Sequence, residues 1–251
     1  MKTYRIATIP GDGIGKEVVP AGQRVLEALA QRRGRFGFEF TDFGWGGDWY
    51  RRHGVMMPDD GLDRLRARKR LTVVTKSNAQ RHAMVMWDEI AAQISMEFPE
   101  VAWDKERVDA ATARMVNRPA SLDTIVATNL HADILSDLAA ALAGSLGIAP
   151  TGNIDPERRY PSMFEPIHGS AFDIMGQGIA NPVGTFWSCV MLLEHLGEPA
   201  AAAELMAAIE TVTANPALRT RDLGGTATTA QVTAAVCASM GAPRASAPQA
   251  A

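Results

Sequence analysis

A chain of 251 residues, 47% hydrophobic and 21% charged, can bury a substantial core as one large domain or two small ones. A formal net charge of −3 and a pI near 6.0 argue against a nucleic-acid-binding or membrane-seeking surface, and no apolar run approaches the length that spans a bilayer. The start, MKTYRIATIPGDG, lacks an export-type apolar segment, and Cys189 and Cys237 sit in apolar helical stretches without metal-type spacing, so a cytoplasmic protein with two reduced thiols is expected.

Residues 4–9 alternate and run into PGDGIGKE, a glycine turn followed by the helical pattern Val18, Val19, Val25, Leu26 and Leu29. Gly11, Gly13 and Gly15 would let backbone amides approach an anion, but a plain tight turn reads equally well. Their spacing is not that of the dinucleotide fingerprint. A second strand is expected over 36–43, with Phe36, Phe38 and Phe40 on one face and Glu39 and Thr41 on the other. The basic cluster RLRARKR (64–70) reads as a solvated helix end.

LTVVTKS (71–77) is a β-branched strand ending at Lys76, and NAQRHAMVMWDEIAAQI after it is helical by period. VAWDKERVDAATARMV reads as a strand running into a short helix, and DTIVATN is a further strand feeding the helix of Asp133 and Asp137. Residues 145–183, rich in glycine and proline and poor in periodicity, are expected to be a long functional loop. Two helices follow Pro182, then a break at RTRDLGGTATT and one more helix. The tail, 241–251, is too poor in large apolar residues to pack and is expected to be disordered. Strands alternating with helices predict an α/β architecture.

Asp133 and Asp137 share one side of their helix, where like charges repel by about a few tenths of a kcal/mol unless a cation lies between them. A divalent cation, a neighbouring Lys or Arg, or plain solvation of an exposed face would each account for the pair. With Asp109 they make three aspartates at or shortly beyond strand ends, where open α/β sheets place ligand-contacting residues. Mg²⁺ and Mn²⁺ take a few carboxylate oxygens together with water and substrate oxygens. Lys76 also ends a strand, and beside a metal-bound hydroxyl a lysine can help move a proton. In FEPIHGSAFDIMGQGIANP (164–182), a backbone-rich loop suited to a flat aromatic ligand, Asp173 would accept hydrogen bonds from a ribose diol and repel a 2′-phosphate, which favours NAD over NADP.

IPGDGIGKEV, TKSNA, VDA, TNLHADILSDLAAALAGSLG, EPIHGSAFDIMGQGIANP and DLGGTATT, in that order, resemble the metal-dependent β-decarboxylating dehydrogenases that act on isocitrate, 3-isopropylmalate and tartrate or D-malate. FGWGGDWYRRHGVMMPDDGLD and LTVVTKSNAQRHAMVMWDEIA look most like the tartrate branch, which also handles D-malate. The resemblance implies an isopropylmalate dehydrogenase-like α/β fold, not a Rossmann fold. A large domain would come from both chain ends (1–70 and 128–240), and 71–127 would be the remnant of a small dimerisation domain.

It also implies a homodimer with a shared site that binds a small 2-hydroxy dicarboxylate. Asp133 and Asp137 match metal ligands from one subunit, while Asp109, a further ligand, and Lys76, the catalytic lysine, match residues from the other. His168, Gly169, Ser170, Ala171, Asp173 and Asn181 match the loop holding the adenosine half of NAD. The implied cofactors are NAD and Mg²⁺ or Mn²⁺, with K⁺ as a further candidate. The implied reaction passes a hydride from C2 of the substrate to the nicotinamide and then releases CO₂.

The pattern breaks between Arg66 and Leu71, where a full-length member would carry about a hundred further residues. By the resemblance, these hold a core strand of the large domain, the substrate-clamping arginines, the tyrosine that protonates the enolate and much of the dimer arm. Tyr4, Tyr50 and Tyr160 are the only tyrosines, and none sits in the matching motif. Two functions are therefore expected: an impaired dehydrogenase, or a non-catalytic remnant that binds NAD or metal or pairs with an intact homologue.

Overall fold

The computed structural model describes residues 2–8, 14–42, 70–155 and 158–240. Gly11, Gly13, Tyr50, the basic cluster up to Lys69 and the tail lie outside the described residues. The chain forms two compact units, one from 1–58, 144–153 and 161–251, the other from 59–143 and 154–160. Among the described residues, no helix is long and apolar enough to cross a membrane.

In the first unit, β1 (Lys2–Thr8) and β2 (Phe36–Asp42) pair in parallel, in register from Lys2 with Phe36 to Thr8 with Asp42. The period-2 pattern has its physical outcome in a ring ladder. Tyr4 meets Phe36 edge-on at 6.1 Å, and Phe38 stacks on Phe40 at 5.7 Å. Between the strands runs α1 (Gly15–Arg33), which buries Val18, Val25 and Leu29 and stops at Gly34, whose φ of 63° suits a residue without Cβ.

The core of this unit joins α1 and β2 to α5 (Val183–His195), α6 (Pro199–Ala214) and α7 (Thr229–Ser239), with Phe36, Phe186, Leu193 and Leu205 fully buried. Tyr4 Oη donates to Glu198 Oε1 at 2.6 Å, so the first strand is fastened to the start of α6. Helix α1 approaches α5 at Gly22, where a Cβ would come within 2.9 Å of Thr185 Cγ2.

The expected long loop over 145–183 is corrected in part. It contains β6 (Pro150–Asn153) and β7 (Met163–Pro166), paired antiparallel. Strands of four residues containing proline and glycine carry too few positions for a period to show.

In the second unit, β3 (Arg70–Thr75) is the central strand of a parallel sheet, flanked by β4 (Ala102–Arg107) and β5 (Thr124–Val126). Helix α2 (Ala83–Ser95) carries the chain from β3 to β4, and α3 (Val108–Asn117) carries it back across to β5. The two crossovers run in opposite directions, so right-handed connections put α2 and α3 on opposite faces. Val74 packs with Ala111 of α3 and Leu135 of α4 (Asn129–Leu142) on one face, while Leu71 and Val73 face α2.

Candidate functional site

Lys76 follows the last residue of β3, and Asp109 is the second residue of α3, directly after β4. Because Thr75 pairs with Arg107, the two side chains leave adjacent strands at the same carboxyl edge. Lys76 Nζ donates to Asp109 Oδ1 at 2.5 Å, and the Lys76 carbonyl accepts from Ala79 N and Gln80 N, each at 2.9 Å, which tightens the turn behind it. The hydrogen bond from Lys76 holds the Asp109 carboxyl below the ordinary carboxylate range, helped by a backbone N–H in the first turn of α3. Asp109 is 65% exposed and Lys76 27% exposed, and a pair so open to water contributes little to stability. What it offers is an ammonium aimed at solvent-accessible space at a sheet edge, able to donate or pass a proton.

Asp133 and Asp137 are exposed on α4, on the side opposite the buried His131 and Leu135. Among the described residues, neither carboxylate joins an ion pair or side-chain hydrogen bond, and no group of three or more His, Cys, Asp or Glu lies close enough to hold a metal ion. Asp109 is therefore not brought to the pair within one chain. Leu130 and Ile134, flanking Asp133, are 62% and 52% exposed, which is unlike a helix face built for water. His131 is buried with no partner for Nδ1. In the sequence its one signal is its place one turn before Leu135 on the core stripe.

In the first unit, His168 to Asp173 lie on one loop held from behind by α1 and α7. Ile14 N donates to Ser170 O at 2.9 Å, Glu17 Oε1 accepts from Gly176 N at 2.6 Å, and Thr229 Oγ1 donates to Ala180 O at 2.6 Å. Ala171 has φ 40°, an uncommon conformation for a residue with Cβ, which turns the chain sharply at the end of HGSA. Nothing lies within 4 Å of where a Cβ would stand on Gly169, Gly176 or Gly178, so the loop presents open backbone. Asp173 is exposed, and its backbone carbonyl accepts from Gln177 Nε2 at 2.8 Å. His168 Nε2 is buried without a partner, an unmet polar atom on the loop expected to receive a ligand.

Asn181 stands beneath this loop, 6% exposed. Its Oδ1 accepts from Val183 N at 3.0 Å at the start of α5, and its Nδ2 donates to Asp222 Oδ2 at 2.8 Å. Asp222 also accepts from Ser145 Oγ and Thr220 Oγ1, both at 2.5 Å. Burial opposes the charge, but the three hydrogen bonds prevail and hold this carboxyl below its ordinary range. Gly147 completes the knot, since a Cβ there would come within 2.9 Å of both Asn181 Cβ and Asp222 Oδ2. DLGGTATT signalled a special segment, but its partners stand 41 and 77 residues away, beyond the reach of local pattern.

A family model described as isocitrate/isopropylmalate dehydrogenase matches residues 5–67 and 62–236. A probable tartrate dehydrogenase/decarboxylase of Agrobacterium vitis is 47% identical over 350 aligned positions, covering 94% of this chain and 98% of that protein. The D-malate dehydrogenase (decarboxylating) of Escherichia coli K12 is 34% identical over 357 positions, with the same two coverages. Among solved structures, an isocitrate dehydrogenase from Methylococcus capsulatus aligns with a TM-score of 0.79 at 25% identity, over 94% of this chain and 99% of that one. An apo β-decarboxylating dehydrogenase from Thermococcus kodakarensis aligns with a TM-score of 0.72 at 27% identity, over 94% and 96%. The family match divides at 62–67, and about a hundred aligned positions of the Agrobacterium protein have no counterpart in this chain.

Proposed function

Because the chain belongs to the isocitrate/isopropylmalate dehydrogenase family of decarboxylating dehydrogenases, we propose that it serves NAD-dependent oxidative decarboxylation of a 2-hydroxy dicarboxylic acid. The substrate is of the tartrate or D-malate type, with 3-isopropylmalate as the alternative. The observation that carries this reading is the Lys76–Asp109 pair at the carboxyl edge of the parallel sheet. In this role Lys76 Nζ, having first released a proton to solvent, takes up the substrate hydroxyl proton as the neutral amine, directly or through water, and Asp109 keeps Nζ aimed.

Asp133 and Asp137 are hard oxygen donors one turn apart with no partner among the described residues, and they fit two of three protein ligands of Mg²⁺ or Mn²⁺. Asp109 of the partner subunit would supply the rest, in a homodimer whose contact covers Leu130 and Ile134. When bound, the cation polarises the substrate's hydroxyl and carboxylate and withdraws the charge left as CO₂ departs. A second cation, K⁺, belongs to the same proposal. NAD would supply the hydride acceptor. His168, Gly169, Ser170, Ala171 and Asp173 hold its adenosine half, with Asn181 shaping that loop from below. Residues 71–127 are then what remains of the small domain, and the two unpaired cysteines support a reducing, cytoplasmic setting.

Each ligand lost should weaken metal binding strongly, because a cation left with too few anionic oxygens returns to water. Calorimetry with Mn²⁺ on Asp137→Asn tests this: affinity equal to the parent's would remove the metal assignment. Reduction of NAD⁺ with D-malate or tartrate plus Mn²⁺ tests the activity itself. A second reading, a non-catalytic remnant that binds NAD or metal or pairs with an intact homologue, is favoured by the break at 62–67. NADH binding without turnover would select it.

A further inference from the structure

Leu71, Val73 and Val126 form the floor of an open groove of about 180 Å³ on the α2 side of the second unit's sheet, walled by Trp87, Ile90 and Ile94. Of all the residues lining it, Ser95 alone lacks an apolar side chain. The Trp87 indole N–H donates to Val74 O at 3.1 Å, so the wall is a fixed ring, while Ile90 stands 43% exposed at the rim. The opposite face is already sealed where Val74 packs on Ala111 and Leu135. Helix α2 covers Val73, but among the described residues Leu71, Trp103 and Val126 remain partly exposed beside Ile90, and an apolar sheet face covered only in part marks a contact surface.

The family match shows what is missing. It divides at 62–67, and β3, the floor strand, begins at Arg70, so the roughly one hundred positions that the Agrobacterium relative has in excess join directly upstream of the groove. Strand β3 is parallel to both its neighbours, and parallel strands are entered through crossovers that pack on the sheet. We propose that the groove is the seat of that crossover, and that this chain takes it from a second polypeptide. The partner is an intact family member whose extra segment presents an amphipathic helix, apolar side inward. Because the groove lies wholly in the second unit, this inference does not depend on catalysis.

The test is fluorescence anisotropy with a labelled peptide of about 20 residues, ~30 Å as a helix. It copies the Agrobacterium relative immediately before its counterpart of Arg70. Saturable binding to the full chain is expected, weakened at least about tenfold by Ile90→Glu, or ~1.4 kcal/mol. Val116→Glu, at an exposed position of α3 outside the groove, should leave binding unchanged. Thermal melts confirm that both variants are folded, and Ile90 lies at the rim, outside the buried clusters. Absence of saturable binding, equal binding of a scrambled peptide, or equal loss in the two variants would overturn the proposal.

Discussion

Asp222 spends its charge inside the molecule. Three donors converge on its carboxylate, and they come from the segment after α4, the start of α5 and its own turn. Its folded pKa is depressed, so its contribution is fully present above the unfolded value, about 3.9, and is lost as pH falls through the lower folded value. Asp222→Asn should cost about 1 kcal/mol at neutral pH. The Tm gap between parent and variant should close below about pH 4; a gap that stays constant into acid would show that the charge is not what the site uses. Asp173 is the contrast: its exposed carboxylate is offered outward. A 2′-phosphate beside it meets like charge, so NADH should bind more tightly than NADPH in a fluorescence titration, and equal affinities would count against its proposed role. Lys76 and Asp109, which the structure brings together, could be picked out because each sits in a short contiguous motif. Asp222 could not, because its meaning is made by residues distant in the chain.

Among the elements, those with enough positions for a period were readable. The β-branched LTVVT became β3, with Val73 and Val74 buried on opposite faces, and the alternating phenylalanines became β2. Strands β6 and β7 have four residues each and are defined by pairing with each other, a tertiary fact. Helix α7 shows how a boundary can be written locally. Gln231 N donates to Thr228 Oγ1 at 3.2 Å, and Thr228 N donates to Gln231 Oε1 at 2.9 Å, a reciprocal cap. Since α7 buries Val232 and Val236 in the main core, Thr228→Ala should lower stability by about 1 kcal/mol, read as a fall in Tm. An unchanged Tm would show that core packing alone fixes the helix start.

At the scale of the molecule, the α/β class and the family were both legible, because several rare motifs recur in one order. How the chain manages without about a hundred of its relatives' positions was not, since a sequence shows a deletion only as a junction. A substrate with two carboxylates needs cationic clamps for charge and orientation, and by the family resemblance these lie in the absent stretch. Turnover with D-malate or tartrate should therefore fall more than about tenfold below that of the Agrobacterium relative in kcat/KM, over ~1.4 kcal/mol of transition-state stabilisation. Light scattering should show self-association or dependence on a partner chain, given the open apolar groove. A clean dimer with activity within tenfold would show that the residues present rebuild the substrate site.

The bond from Tyr4 to Glu198 joins residues 194 apart, and it sets a timetable for the chain's birth. Helix α1 leaves the ribosome with Val18, Val25 and Leu29 ready to pack, yet α5, α6 and α7 are encoded more than a hundred residues later. At about 5–20 residues per second, that early apolar face waits on the order of ten seconds for its partners. The second unit, whose strands and helices follow one another within 70–142, can close its sheet during the wait. Helix α1 is thus made early and covered late.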